Sequence, residues 1–266
     1  MIGLLIAAIP PVPTPEPPIF SPTATPVSER AVLAAGVNDA SARAKALGGL
    51  LGVTIVDVTT GATVASNGDA NLPMASVEHL PIAVLVYRAI AAGTLSMTRD
   101  MHGLLSRMLD DDDDEAANTL LDQLGGSEAA NAQLRAMGFR SIFLVPNDAG
   151  YATPNALAAL FGELAQGKLL DPKETKELLS AFAGIGRDPG RLRAGFARNV
   201  TLAHVPGTLG GGDDTNIATN DAGVAEVNGR TVVIVAMLQG ARGPDAKRDA
   251  VIASLAATAA QASTNL

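Results

Sequence analysis

Two hydrophobic periods alternate along this chain, one near 3.6 residues and one near 2, and the switches between them set out its elements. From Ser28-Glu29-Arg30 an alanine-rich pattern with helical spacing runs to about Leu47 and stops at Gly48-Gly49, which predicts a first helix. Leu51 to Val58 then alternates and is rich in β-branched residues; Thr59-Thr60-Gly61-Ala62 is a turn, and Thr63 to Ser66 resumes the alternation, so a β-hairpin follows. Ile82 to Ala92 is apolar on most faces and ends at Gly93, the pattern of a buried helix.

The middle of the chain is helical and well punctuated. Ala116 to Leu121 lies between the acidic run Asp110 to Glu115 and Gly125-Gly126, and Ser127 to Met137 ends at Gly138. Thr153-Pro154 opens Asn155 to Leu164, and Asp171-Pro172 opens another helix, with Glu174 completing a capping box. The last third returns to strands: Val200 to Val205, then Ile217 to Val227 and Thr231 to Leu238 on either side of Asn228-Gly229, a strong hairpin signal. Pro244 to about Ala260 closes the chain as a helix.

That order predicts an α+β fold with one antiparallel sheet formed from both chain ends, flanking helices and an inserted all-helical lobe. The α/β lobe takes about 28–70 and 196–266, the helical lobe about 71–195, and a cleft between them is the expected ligand site. Residues 1–27 stand apart. Met1 to Ile9 is apolar but too short to span a bilayer and has no basic flank, and eight prolines from Pro10 to Pro26 follow it, a spacing that favours an extended tether. Two readings stand, the end of a signal or anchor segment or a frayed terminus; the first places the protein outside the cytoplasm, touching a membrane only through this segment.

Composition narrows the chemistry. Of 266 residues 47% are hydrophobic and only 3% aromatic, with no Trp, so the core must be built from Ala, Leu, Val and Ile. A net charge of −8 without a basic cluster excludes a nucleic-acid surface, and the absence of cysteine excludes disulfides, thiolate metal sites and a lipid-modified N-terminal cysteine. No cofactor or metal is expected, and a monomer is. A calcium or magnesium site within Asp110 to Asp114 is disfavoured because consecutive side chains point in different directions.

The candidate chemistry lies in Leu72-Pro73-Met74-Ala75-Ser76-Val77-Glu78-His79-Leu80, where a serine and a histidine stand three residues apart at a helix entry. Ser76 is either a nucleophile or a cap of the following helix, and His79 either its base or a packed histidine. Pro81 cannot donate to the Val77 carbonyl, so the helix is either kinked or begins only near Leu80.

Val56-Asp57 with the Gly61 turn, Pro73-Met74-Ala75-Ser76, Ala116-Ala117-Asn118 before Gly125-Gly126, Thr153-Pro154, Arg191-Leu192-Arg193-Ala194-Gly195 and Asn220-Asp221 occur in an order that resembles the class A β-lactamases over roughly Gly52 to Leu255. The resemblance implies the fold of the penicillin-recognising serine enzymes, whose members attack a β-lactam or peptide carbonyl through Ser-x-x-Lys. Here His79 stands at the lysine position. Asp112-Asp113-Asp114 aligns with Ser-Asp-Asn, which turns two donors into the acceptors Asp112 and Asp114. Val205-Pro206-Gly207 aligns with Lys-Thr-Gly, although the Thr208 amide remains placed to share an oxyanion hole with that of Ser76. Pro206 implies an edge strand. The loop from Arg140 to Thr153 is short and has no glutamate to activate water; Asp148 is its only carboxylate, and losing such a base costs about 10²–10⁴-fold in rate. Arg191 aligns with an arginine that helps hold the substrate carboxylate, and His204 is a candidate to point into the cleft, whereas His102 reads as a surface residue.

Two functions follow. The first is a β-lactamase-like binding or structural protein of the cell envelope without efficient β-lactam hydrolysis, taking a cell-wall peptide or small molecule in the cleft. The second is a serine hydrolase using Ser76 with His79 on a neutral or cationic ester or amide.

Overall fold

In a computed structural model, residues 27–210 and 218–264 are described. The proline-rich tether expected over 1–27 lies outside them, apart from its last residue. The first helix, α1, spans Val27–Ala46 and leads into β1 (Leu50–Asp57) and β2 (Thr63–Ser66), the expected hairpin. Asp57 closes its turn by accepting the N–H groups of Thr59 and Thr60 through Oδ1 at 2.8 and 3.0 Å. At the other end of the chain β6 (Thr201–Leu209), β7 (Ala218–Val227) and β8 (Arg230–Gln239) precede a terminal helix, Asp245–Ala262. The five strands form one antiparallel sheet in the order β2-β1-β8-β7-β6, built from both chain ends as predicted. The β7–β8 turn carries Asn228 and Gly229 at φ 51° and 77°, the two left-handed positions that an Asn-Gly hairpin needs. Pro206 is tolerated because β6 is an edge strand.

Strand alternation separates two cores. On β8, Val232, Ile234, Ala236 and Leu238 pack outward with Leu33, Val37 and Val251 to Ala259 of the first and last helices, whereas Val233, Val235 and Met237 join the helical lobe.

That lobe opens with a two-residue strand, β3 (Leu72–Pro73), and a single 3₁₀ turn, Ala75–Glu78, which passes into α2 (His79–Ala91). Of the two possibilities left by Pro81, the late helix start is the one found: Pro81 is the third α-helical residue, where an N–H has no intrahelical partner to lose. A helix that the hydrophobic pattern did not single out, α3 (Arg99–Asp110), is followed by α4 (Asp114–Gln123) and α5 (Gly126–Ala136). Asp113 is the N-cap of α4, accepting the Ala116 N–H at 3.0 Å and pairing with Arg107 Nε at 2.7 Å. Then come β4 (Ile142–Phe143), β5 (Tyr151–Ala152), α6 (Pro154–Ala165) and α7 (Pro172–Gly184), the last with the capping box of Asp171 and Glu174 in place. The order β3-β5-β4 makes a small second sheet absent from the sequence expectations, because two-residue strands are too short to leave a period. A short α8 (Leu192–Gly195) precedes β6, and the terminal helix is α9.

Candidate active site

Ser76 is presented by a backbone held from two sides. Asn220, on the inward face of β7, donates Nδ2 to the carbonyls of Pro73 and Met74 at 2.8 and 2.9 Å. Gly207 of β6 comes so close that a Cβ there would lie 2.8 Å from the nitrogens of both Ser76 and Val77. Between these clamps Ala75 adopts φ 49°, left-handed for a residue with a Cβ, a strain of about 1–3 kcal/mol that persists only where the surroundings enforce it. The result is a serine on a tight turn at the edge of a cavity of about 390 Å³. Its walls are Ala75, Ser76, Glu78, Asp114, Asn118, Asn147, Asp148, Ala149, Thr208 and Leu209.

His79 does not complete a relay with Ser76. It is fully buried, and among the described residues neither ring nitrogen has a hydrogen-bond partner, so no bond to the Ser76 hydroxyl exists. Nδ1 lies 3.6 Å from Asp112 Oδ1, and Nε2 lies 4.0 Å from Asp114 Oδ1. Burial, reinforced by the nearby Arg187 charge, pushes the imidazole down to about 3 and keeps it neutral at ordinary pH. An imidazole so weakly basic is a poor acceptor for a serine proton.

The acidic run divides into separate roles. Asp112 sits at φ 59° and is ion-paired with Arg187, so its charge is turned to the helical lobe and it is not part of the cavity wall. Asp113 caps α4, and Asp114 lines the cavity as expected. Burial, then the charges of Asp112 and Asp113, push the Asp114 carboxyl above its usual range.

On the sheet side only Thr208 of the expected residues lines the cavity. Val205 is wholly buried in the core of the helical lobe, beneath the cleft. His204 takes the opposite face of β6, with Leu202, where Nδ1 meets both oxygens of Asp221 at 3.0 and 3.1 Å. It points away from the cleft because β6 alternates: with Ala203 and Val205 turned to the helical lobe, residue 204 must turn outward. Burial lowers the His204 pKa, but the Asp221 charge, its hydrogen bond and the Ile185 backbone together outweigh burial and raise it. Arg191, with its side chain 4% exposed, is spent on structure. Nε donates to Asp249 at 3.0 Å, Nη1 to the carbonyls of Gly207 and Asn220 at 3.1 and 3.0 Å, and Nη2 to the Thr208 hydroxyl. It braces β6 and β7 behind Ser76 and leaves no free fork for a carboxylate.

The residue that sequence reasoning passed over is Glu78. It lines the cavity, and its Oε2 accepts the Gly150 N–H at 2.8 Å. Burial above all pushes its carboxyl up, against the Gly150 hydrogen bond, and with the charges of Asp114 and Asp148 adding to burial it reaches about 7. A signal existed in the sequence: Glu78 is the only charged residue in the otherwise apolar run from Leu72 to Leu85, apart from the titratable His79. Asp148, the carboxylate noted in the short loop, also reaches the wall, with Oδ1 accepting the Ala149 N–H. No cluster of metal-ligating side chains occurs among the described residues.

Known proteins match this arrangement. The sequence fits the β-lactamase enzyme family over residues 33–103 and 100–263. It is 30% identical to β-lactamase AST-1 of Nocardia asteroides over 238 residues, covering 76% of this chain and 75% of that one. A shorter match, 32% over 124 residues, covers 47% of the chain and 40% of LppW of Mycobacterium tuberculosis, a protein named as a lipoprotein. Among solved structures, a reconstructed ancestral class A β-lactamase (GNCA) superposes with a TM-score of 0.76 at 27% identity, over 86% of this chain and 99% of that one. With the family match, the sequence relative and the superposed structure in agreement, the chain belongs to the class A β-lactamase family.

Proposed function

We propose that this protein is a β-lactamase-like binding protein of the cell envelope that does not hydrolyse β-lactams efficiently. The cleft beside Ser76 would hold a small molecule or cell-wall peptide of neutral or positive charge. The observation that carries this reading is the state of His79: neutral, fully buried and without a bond to Ser76, at the position where the family's lysine handles protons. Charge supports it. Among the described residues every ionisable residue of the cavity wall is acidic, namely Glu78, Asp114 and Asp148, while Arg191 is sequestered. A carboxylate ligand about 4 Å from one such charge meets a repulsion of about 4 kcal/mol at an effective dielectric of 20. The envelope location rests on the shared stretch with LppW and on the apolar, proline-rich N-terminal sequence; no helix among the described residues is long and apolar enough to cross a membrane.

A second reading, a serine hydrolase acting through an acyl-enzyme at Ser76, is favoured by the way that serine is presented: Ala75 is held at a left-handed φ and Gly207 packs closely against the turn. Incubation with a fluorescent penicillin, followed by intact mass, tests the first reading. It predicts no adduct in folded protein, and a stoichiometric adduct lost in Ser76→Ala would replace it with the second.

A further inference from the structure

Ser76 and Glu78 share one cavity, and the Glu78 carboxylate is fixed there from one side only. Oε2 is held by the Gly150 N–H, while Oε1 makes no hydrogen bond among the described residues. Gly150 is shaped to this task. A Cβ on it would lie 2.4 Å from the Phe143 carbonyl oxygen and 3.1 Å from Glu78 Oε2, so the amide reaches the carboxylate only because no side chain intervenes. No lysine or arginine forms an ion pair with Glu78 among the described residues. A half-buried carboxylate beside two others and without a cationic partner is destabilising, and one backbone hydrogen bond does not offset that cost; such an arrangement points to a working group. His79, three residues from Ser76, makes no hydrogen bond to it among the described residues.

We propose that Glu78, not His79, accepts the hydroxyl proton of Ser76 when that serine attacks a neutral or cationic ester or amide. This inference rests on the hydrolase reading above. Residues two apart in a helical turn diverge, so the proton passes through one bridging water, for which a cavity of about 390 Å³ has room. In the acylation step the Ser76 Oγ–carbonyl carbon bond forms and the carbonyl electron pair moves to oxygen. The Oγ proton reaches Glu78 through the water. On collapse the bond to the leaving group breaks, and that group takes the proton back from Glu78.

Among the described residues the charged groups facing Glu78 are Asp114 from α4 and Asp148 from the loop before β5; β6 contributes only Thr208 and Leu209, and His79 beside it is neutral. All the charge around it therefore favours the protonated acid, and the carboxylate forms as pH rises through about 7.

The test is phosphonylation of Ser76 by a fluorophosphonate, in which the Oγ–P bond forms, fluoride leaves and the same proton must be accepted. Rates are read by intact mass from pH 5 to 9, with folding checked by thermal melts and Ser76→Ala as the control. The inference expects a wild-type rate that rises about tenfold or more and is half-maximal near pH 7, a Glu78→Gln rate at least about 10²-fold lower without that rise, and partial recovery in Glu78→Asp. An unchanged rate and profile in Glu78→Gln would overturn it while leaving Ser76 a nucleophile. Absence of labelling in folded wild-type protein would overturn both the inference and the hydrolase reading. A flat wild-type profile overturns it even if the variants do not fold.

Discussion

Glu78 accepts the backbone N–H of Gly150 at 2.8 Å, a bond that joins the serine turn to the loop 72 residues further on. It orients the carboxylate, yet it does not offset the cost of burial, since the carboxyl still sits near 7. A folded-state pKa above the unfolded value means that the folded state binds the proton more tightly, so stability is lost as pH rises from about 4.5 through 7. Glu78→Gln keeps the acceptor for Gly150 and removes the charge. It should therefore stabilise the protein by about 1–3 kcal/mol at pH 8 and by little at pH 4.5, as read by denaturant melts at the two values.

His79 has the opposite dependence. Its folded pKa of about 3 lies below the unfolded 6.5, so its contribution is present above 6.5 and is lost as pH falls toward 3. At pH 5 the loss is about 2 kcal/mol. His79→Leu, which cannot charge, should flatten the acid limb of stability between pH 6.5 and 4, and an unchanged acid slope would show that the imidazole is not buried as described.

The His204–Asp221 pair adds a separate effect on the outer face of β6. Its raised His204 pKa means that the stabilisation is complete below 6.5 and fades as pH rises through the folded value. His204→Gln should cost more stability at pH 5.5 than at pH 8.5, with no change in ligand binding, because His204 lies outside the cavity wall.

Gly207 leaves no room for a side chain behind the serine turn. Gly207→Ala would place a methyl 2.8 Å from two backbone nitrogens of the serine turn, atoms that Asn220 holds in place from the other side. A cost of about 1–3 kcal/mol and loss of any reactivity at Ser76 are expected, measurable by melting temperature and by probe labelling.

How much of this was legible in the sequence follows from what leaves a period or a cap. The Asn228-Gly229 hairpin, the Asp171 capping box and the Thr153-Pro154 start each need particular residue types at fixed offsets, and each is found. The site was legible as far as Ser76, Asp114 and Thr208, which converge on one cavity. Asp112, Arg191, His204 and Val205 were not separable from the wall by sequence, because ion pairing and strand parity, invisible in a motif, turn each of them elsewhere. Glu78 was overlooked for a related reason: its role depends on Gly150, which nothing in the sequence brings next to it.

The central claim is that the cleft has kept its serine and lost efficient β-lactam hydrolysis. Steady-state hydrolysis of a chromogenic cephalosporin by the purified protein, compared with Ser76→Ala, tests it most directly. The account predicts turnover indistinguishable from that of the variant, whereas Ser76-dependent hydrolysis with kcat/KM of about 10⁴ M⁻¹s⁻¹ or more would contradict it.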